Sequence, residues 1–383
     1  MRILARLRHD RRVPLPTSAP TLTDGVVTLR AHTPDDAEGV LAMARDPETV
    51  RWTSIPVPYG PGHARRWIEE KAPHDWRTGA AFRWAVEADG RFAGNLDVNP
   101  GPPPSVGFGL APVARGRGVM ARAQRLAARW AFREAGLPVL HWWAQAGNLA
   151  SWRVAHACGF RHEGTRRLAV PRRGGLVDGW FASLTATDPM TPRTIWWPTP
   201  TLTGERVRLR PHTAADLPRI VEACADPRTR HWLPGLPHPY TVEAAQEFVL
   251  TARLDESLGR SVTWAVADPV DDRLLANISV FALDDPVNPT AGEIGYWAHP
   301  DARGRGVVGG ALDLVVAHAV TPVAAGGLGR HRLQIGASWS NTASRHVAER
   351  AGFRLAGRFT RDGVVGIDGD RTIEDGAWYE LLA

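Results

Sequence analysis

The chain contains one loop sequence twice, at residues 114–119 and 302–307, both reading Ala-Arg-Gly-Arg-Gly-Val. Other matching residues keep the same order on either side of this loop. Leu29 matches Leu209, 180 residues further along, and Asn148 matches Asn341, 193 residues further along. Colinear matches whose spacing changes only between elements are typical of two related domains with insertions in their loops. The sequence therefore predicts an internal duplication of one fold.

The length of the chain agrees with a duplication. Its 383 residues exceed the roughly 250 to 300 residues at which single hydrophobic cores stop growing. We expect a basic N-terminal extension over residues 1–20, a first domain over 21–187 and a second domain over 202–383. The segment 188–201 between them contains four prolines and the pair Trp196-Trp197, which predicts a stiff linker.

Composition indicates a globular protein outside the membrane. Hydrophobic residues make up 44% of the chain and charged residues 22%, as in ordinary packed domains. No apolar run approaches the roughly 18 to 20 residues needed to cross a bilayer. Residues 1–12 are basic and lack the continuous apolar core of a secretion signal. We therefore expect a cytoplasmic protein with no membrane partner.

The formal net charge is +6, and nearly all of the positive charge is arginine, since Lys71 is the only lysine. These arginines are spread through every predicted element, whereas a nucleic-acid-binding protein would group them on one face. We therefore expect no nucleic-acid partner. The two cysteines, Cys158 and Cys224, occupy non-equivalent places in the two copies, so the sequence predicts neither a disulfide framework nor a metal site.

Each repeated loop follows a predicted strand and leads into a long helical pattern. Glycine lets the backbone approach an anion closely, and a helix N-terminus offers free N–H groups at the positive end of its dipole. The order therefore predicts two pyrophosphate sites held mainly by main chain. The competing interpretation is that the loop arginines are solvated surface charge. The predicted sites are Arg115, Gly116, Arg117, Gly118 and Val119, and Arg303, Gly304, Arg305, Gly306 and Val307.

Hydrophobic periodicity predicts the same element order in both copies. In the first copy we expect strands at 26–30, 82–87, 91–98, 106–110, 139–145, 160–166 and 180–185. Helices are expected at 34–44, at 63–71, from the loop to residue 135 and at 149–158. The predicted fold class is α+β, a three-layer arrangement with a mixed, mostly antiparallel central sheet flanked by helices.

Four ordered stretches, each present twice, resemble the GNAT superfamily of acetyl-coenzyme-A-dependent N-acetyltransferases. In the second copy they are residues 292–297 (Gly-Glu-Ile-Gly-Tyr-Trp), the loop 303–306, residues 341–344 (Asn-Thr-Ala-Ser) and residues 351–353 (Ala-Gly-Phe). In the first copy they are residues 106–110, 115–118, 148–151 and 158–160. The resemblance covers nearly the whole chain. Within the superfamily, the chain resembles the branch that includes the ribosomal-protein-alanine acetyltransferases.

The resemblance implies acetyl-CoA as co-substrate and no metal. In this family the strand before the loop splays from the next strand and exposes main-chain groups to the pantetheine arm. Here that splay is expected near Ala111 and Ala298, beside Leu110 and Trp297. Asn148 and Asn341 are expected to contact the cofactor; each can also be a simple helix N-cap, a role that does not exclude this contact. An amine would then attack the thioester directly.

Direct attack requires a group that accepts a proton from the ammonium and one that protonates the departing thiolate. Glu293 on the central strand is the candidate base of the second copy, with a structural or acceptor-binding role as the alternative. Ser344 and Ser151 match the family's serine position for the acid. The first copy has Ser105 in place of Glu293, behind three prolines, so we expect the second copy to be the better catalyst.

The acceptor is the least specified part of the prediction. It is expected to be a primary amine, either a peptide N-terminus or a small molecule. The resemblance implies that it is bounded by the closing strands and by the segment between the first two helices, here 52–60 and 232–240, which are rich in proline and aromatic residues. The alternative function is a non-catalytic acyl-CoA-binding or regulatory protein with the same tandem fold. The sequence predicts no oligomeric state.

Overall fold

The computed structural model describes residues 16–367 and 369–383. The chain divides into two compact units, the first ending at Arg193 and the second beginning at Thr194. Most of the predicted basic extension, residues 1–15, lies outside the described residues. In the predicted linker, the main chain at residues 189 and 191 packs around Gly159 of the first unit, whereas Trp197 is buried in the second unit and hydrogen bonds to Glu256 and Gly259 there.

The first unit is built on an eight-stranded sheet with the order β1-β2-β3-β4-β5-β6-β8-β7. Its strands are β1 (Leu22–Thr23), β2 (Val27–Arg30), β3 (Phe82–Ala88), β4 (Arg91–Asn99), β5 (Ser105–Leu110), β6 (Val139–Gln145), β7 (Arg161–Arg172) and β8 (Gly175–Thr185). Its helices are α1 (Ala37–Arg45), α2 (Pro47–Trp52), α3 (Pro61–Arg66), α4 (Ala72–Thr78), α5 (Val119–Arg133) and α6 (Leu149–Ala157). A π-helical turn, Trp67–Lys71, joins α3 to α4.

The second unit repeats this arrangement, with the sheet order β9-β10-β11-β12-β13-β14-β16-β15. Its strands are β9 (Leu202–Thr203), β10 (Arg208–Arg210), β11 (Val262–Ala267), β12 (Leu274–Phe281), β13 (Ala291–Ala298), β14 (Arg332–Ser338), β15 (Arg354–Val365) and β16 (Thr372–Leu382). Its helices are α7 (Leu217–Ala225), α8 (Pro227–Trp232), α9 (Val242–Ser257), α10 (Val307–Val320) and α11 (Thr342–Arg350).

Both sheets are mixed and mostly antiparallel, which confirms the predicted fold class. The parallel pairs are β5 with β6 and β13 with β14, because α5 and α10 cross over between these strands. The sequence prediction missed α2 and α8, which are only six residues long. Each is capped by an aspartate whose side chain accepts the N–H of a threonine three residues on, Asp46 with Thr49 and Asp226 with Thr229.

The core of each unit fills the space between the sheet and the crossover helix. In the first unit Trp76, Phe82, Trp84 and Trp130 form an aromatic cluster with ring centroids 4.7 to 5.5 Å apart. Trp264 of the second unit is equally buried, and its indole N–H donates to the Pro200 carbonyl. Both cysteines are buried. No helix in the described part of the chain is long and apolar enough to span a membrane.

Candidate active site

The two parallel strands of the second unit separate soon after they meet. Pairing between β13 and β14 is confined to Ala291–Glu293 opposite Arg332–Gln334, whereas β13 stays paired with β12 as far as Ala298. The edge of β13 that faces β14 is therefore open from Ile294 onwards. The predicted splay is present, but it begins at Glu293, five residues before Ala298, which lies near its wide end.

The repeated loop of the second unit forms the N-terminus of α10. Gly304 and Gly306 have φ angles of +73° and +74°, a region that side-chain-bearing residues rarely adopt, which explains the glycines. Gly306 is the N-cap of the 14-residue helix and has no side chain with which to bind the first amide groups. The loop therefore presents unsatisfied N–H donors and the positive end of a helix dipole.

The first arginine of the loop does not point into solvent. The Arg303 guanidinium lies 2.5 Å from the Asp226 carboxylate and 2.8 Å from the Thr229 hydroxyl at the start of α8. Burial alone would raise the pKa of Asp226, but the hydrogen bonds from Arg303 and from the Thr229 N–H hold it below its ordinary value. Arg303 thus ties the loop to α8, and Arg115 makes the same contacts with Asp46 and Thr49 in the first unit.

A different cation approaches the anion site, and sequence reasoning missed it. Arg206, in the turn between β9 and β10, has a guanidinium nitrogen 3.5 Å from the position that a Cβ on Gly306 would occupy. The residue at the matching place in the first unit is the exposed Val26. The difference between Arg206 and Val26 can be read from the sequence, but only the fold shows that this turn lies beside the loop.

The loop, the splay and the hairpin β15-β16 enclose one large cavity of about 1500 Å³. It contains the predicted positions Glu293, Trp297, Ala298, Asn341 and Ser344 together with residues 303–307. The Trp297 side chain packs with the buried cluster of α7 and α9, so only part of this residue borders the cavity. The structure therefore brings all the predicted site residues of the second unit to one cavity.

Two hydroxyl groups meet where α11 faces the splay. The Tyr296 hydroxyl lies 3.0 Å from the Ser344 Oγ, and the Asn341 side chain accepts the Ser344 N–H as the N-cap of α11. The cap role considered for Asn341 is thus present, with its amide nitrogen still available for a ligand. Burial raises the pKa of Tyr296, so this hydroxyl remains protonated and able to donate at neutral pH. Sequence reasoning had not singled out Tyr296.

Glu293 points to the opposite face of the sheet from Tyr296, because side chains alternate along a strand. It is half-buried, and burial raises the pKa of its carboxyl group above the ordinary value. Gly295 lies next on the same face, where the Phe281 ring occupies the space beside it. A carboxylate of raised basicity therefore stands at the point where the strands begin to part.

The hairpin β15-β16 adds an aromatic and acidic wall on the face that carries Glu293. The Trp378 ring lies 3.1 Å from the position that a Cβ on Gly336 would occupy, and its indole N–H donates to the Asp362 carboxylate at 2.7 Å. Asp375, three residues before Trp378 on β16, points to the opposite face of the sheet; it borders the same cavity and is paired at 2.8 Å with Arg358. The acceptor side is thus more acidic than its predicted segments suggested, because the acidic residues come from the hairpin.

The strand register confirms which residue of the first unit replaces Glu293. Glu293 stands opposite Gln334 on β14, and Ser105 stands opposite His141 on β6, at the same point where the strands separate. Tyr296 corresponds to Phe108, which has no hydroxyl group. The first unit therefore lacks both the carboxylate and the phenol.

Tryptophans occupy the region beneath α6 in the first unit. Trp142, Trp152 and Trp180 are nearly fully buried, at places where the second unit has Ile335, Arg345 and Ala377. The Trp142 indole N–H donates to the Ser151 hydroxyl at 3.1 Å, and the Asn148 side chain caps the Ser151 N–H. Ser151 is thus engaged by a core side chain, and its neighbourhood is filled more bulkily than that of Ser344.

The cation beside the first loop also differs. Arg122 near the start of α5 lies 2.8 Å from the Asp24 carboxylate, where the second unit has Gly310 and Gly204. Gly116 and Gly118 keep φ angles of +73° and +72°. The first unit therefore retains the loop geometry of residues 115–119, with Leu110 and Ala111 leading into it, but places a carboxylate close to that helix start.

No group of metal-ligating side chains was found among the described residues. Comparison with known families gave two matches to one family, described as the acetyltransferase (GNAT) domain, over residues 27–161 and 206–354. Together these segments exceed half of the chain. A comparison with curated protein sequences gave no match.

Solved structures resemble one half of the chain at a time. A protein described as a probable acetyltransferase is 26% identical, and the match covers 48% of this chain and 98% of that one, with a TM-score of 0.41. RimJ of Mycobacterium smegmatis, in complex with CoA-disulfide, is 22% identical over 45% of this chain and 90% of its own, with a TM-score of 0.40. The ribosomal L7/L12 α-N-protein acetyltransferase RimL, in complex with coenzyme A, is 22% identical over 49% and 97%, with a TM-score of 0.39.

The duplicated family match and the two equivalent folds agree with each other and with the repeated loops. The chain belongs to the GNAT acetyltransferase family and carries two copies of its domain.

Proposed function

We propose that the second unit transfers an acetyl group from acetyl-CoA to a primary amine, by direct attack of the amine on the thioester. The observation that carries this proposal is the cavity of about 1500 Å³ that joins an uncapped helix N-terminus to a half-buried glutamate. Family membership supports acyl transfer, and the arrangement of side chains supports an amine as the acceptor.

The loop residues fit the diphosphate of acetyl-CoA. The N–H groups of residues 304–307 and the dipole of α10 would hold it, with Arg206 close by and Arg303 fixing the loop against α8. Asn341 and the backbone of residues 297–298 border the same cavity and would hold the pantetheine arm. The acetyl thioester supplies the activated acyl group, and the open edge of β13 would donate an N–H to its carbonyl oxygen as negative charge develops there.

Glu293 would accept the proton that the amine must lose. As the nitrogen bonds to the acyl carbon and the carbon–sulfur bond breaks, that proton passes to the carboxylate directly or through water. A raised pKa brings Glu293 closer to the operating pH and makes it a better base. The hydrogen-bonded pair of Tyr296 and Ser344 would return a proton to the departing thiolate, with Tyr296 as the donor that Ser344 orients.

For the first unit we propose a supporting role without turnover. The absence of a carboxylate at Ser105, the phenylalanine at Phe108 and the engaged hydroxyl of Ser151 all favour this assignment. We also keep the predicted domain boundaries, 21–187 and 202–383, as part of the proposal. A cytoplasmic location is part of the same proposal.

The test is release of free thiol from acetyl-CoA by the full chain in the presence of a panel of amines. Glu293→Gln should lower kcat by about 10²- to 10⁴-fold, the usual contribution of a general base, with little change in acetyl-CoA affinity. The matched control is Ser105→Ala, the equivalent position of the first unit, which should leave kcat unchanged. Equal activity of Glu293→Gln and the unmodified chain would remove Glu293 from the mechanism.

A further inference from the structure

The acceptor end of the cavity holds two carboxylates that no cation neutralises. Glu293 and Asp362 both line it, and neither forms an ion pair within the described residues, whereas Asp375, which lines the cavity from the other face of the sheet, is paired with Arg358. Glu293 is half-buried, where a carboxylate is costly unless a cation or hydrogen bonds compensate it, whereas Asp362 is exposed on the cavity wall. Glu293 has an assigned partner in the reacting amine, which leaves Asp362 without a ligand of its own.

The position of Asp362 depends on the glycine opposite it. A Cβ on Gly376 would come within 2.1 Å of an Asp362 carboxylate oxygen, so only glycine lets the carboxylate lie there. The Trp378 N–H donates to the same oxygen, Oδ2. The carboxylate is therefore held by the indole edge and retains its other oxygen, Oδ1, for a ligand.

Trp378 supplies a second element of cation recognition. Its ring lies over Gly336 on the Glu293 face of the sheet, so no side chain at position 336 separates it from β14. Tryptophan is the best aromatic partner for an ammonium or guanidinium group. A carboxylate hydrogen-bonded to a tryptophan edge thus combines charge and an aromatic face at one place.

The hairpin is fixed against a neighbouring wall of the cavity. The Gly366 N–H donates to the His231 carbonyl at 2.8 Å, and the Arg371 guanidinium donates to the Pro234 carbonyl at 3.0 Å. Trp232 and Leu233, which lie between these two acceptors, line the same cavity. The hairpin and the end of α8 therefore form adjoining walls of the cavity.

The first unit has the opposite charge at this place. Position 362 corresponds to Ala169 and position 378 to Phe181, and the Arg166 guanidinium lies 4.7 Å from the Phe181 ring centroid. A cation of the protein itself therefore covers the aromatic ring in the first unit, whereas in the second unit the matching neighbour of Trp378 is the uncharged Phe359 ring, with the centroids 6.4 Å apart. Among the described residues, only the second unit leaves this aromatic ring without a cation of the protein.

We propose that the acceptor carries a second positive charge besides the reacting amine, and that Asp362 and Trp378 bind it while Glu293 faces the nitrogen to be acetylated. This inference rests on the proposed function and names its substrate class: a short diamine, or a peptide with a basic side chain next to its N-terminus. Both carry an ammonium or guanidinium group a few bonds away from a primary amine.

The experiment uses the full chain and compares the acceptors in pairs whose members differ by one positive charge. Pentylamine is compared with 1,5-diaminopentane, and the dipeptide amide Ala-Ala with Ala-Lys, in the thiol-release assay. The dicationic member of at least one pair should have a KM about tenfold lower or more, in line with a charge-assisted hydrogen bond and a cation–π contact. The pair that shows the larger difference distinguishes the small-molecule source from the peptide source.

Asp362→Asn removes the charge but keeps an oxygen that accepts the Trp378 N–H. It should abolish the preference by raising KM for the dication alone, with kcat, melting temperature and acetyl-CoA affinity retained. Asp375→Asn, at a carboxylate already paired with Arg358, should keep the preference. Equal KM values for both members of each pair, or an unchanged preference in Asp362→Asn, would overturn the inference.

Failure of the proposed function has a different signature. If no amine releases thiol, calorimetric titration of the same amines into the chain still measures their affinities. Tighter binding of the dication that is lost in Asp362→Asn would then support the cation site without the reaction, and equal binding would refute it.

Discussion

Glu293 connects a local environment to a measurable pH dependence. Because burial raises the pKa of this carboxyl group, the rate should show an inflection above the ordinary glutamate value of 4.5 as the base form appears. Profiles of kcat/KM against pH should lose that inflection in Glu293→Gln. An inflection that persists in the variant would belong to another group.

The same shift has a consequence for stability. A carboxyl group whose pKa is raised on folding favours the folded state while it is protonated, and that contribution is lost as pH rises through the folded pKa. Ionised Glu293 therefore opposes folding at neutral pH. Glu293→Gln should leave the melting temperature at pH 7 unchanged or raise it, which thermal unfolding of both proteins would measure. A clear decrease would indicate that the ionised carboxylate has a stabilising partner.

Arg206 provides the residue-scale test of the anion site. Replacing it with valine, the residue of the first unit at this place, should weaken acetyl-CoA binding by about two- to fivefold, because the side chain is exposed and its charge is partly screened. The loss should shrink at high salt. Titration calorimetry at two salt concentrations measures both effects, and an unchanged dissociation constant at low salt would exclude contact with phosphate.

At the scale of elements, the loop before α10 is tested by a pair of glycine variants. Gly306→Val forces a β-branched residue to φ near +74°, a strain of about 1 to 3 kcal/mol, and crowds Arg206 and the anion site. Gly118→Val imposes nearly the same backbone strain in the first unit, where φ is +72°. Both should lower the melting temperature by similar amounts, but only Gly306→Val should weaken acetyl-CoA binding by tenfold or more.

Equal weakening of acetyl-CoA binding by both glycine variants would show that the first loop also binds acetyl-CoA.

Local sequence was sufficient to predict these loops, because a positive φ and an uncapped helix start depend on a few adjacent residues. Six-residue helices such as α8 were missed because so short a segment has little periodicity of its own. Its role became visible only through the contact between Arg303 and Asp226.

At the scale of the whole molecule, the two units should differ in occupancy. We expect one acetyl-CoA per chain, bound by the second unit, since tryptophans fill the region around Ser151 and the Asp24 carboxylate engages Arg122 near the first loop. Isothermal titration of the intact chain measures the stoichiometry directly. Two bound molecules would show that the first unit accommodates the carrier despite these side chains, and none would contradict the proposed function.

The sequence by itself determined the duplication, the order of elements, the glycine loops and the positions of Glu293, Asn341 and Ser344 along the chain. These follow from repeats, periodicity and local backbone requirements, which adjacent residues set. The tertiary structure decided which residues share a cavity: Arg206 beside Gly306, Tyr296 on Ser344, Asp362 with Trp378 opposite Glu293, and Trp142 on Ser151. The physical reason is that side-chain volume and charge act across space, and the sheet order, with β16 placed between β14 and β15, joins residues that the chain keeps far apart.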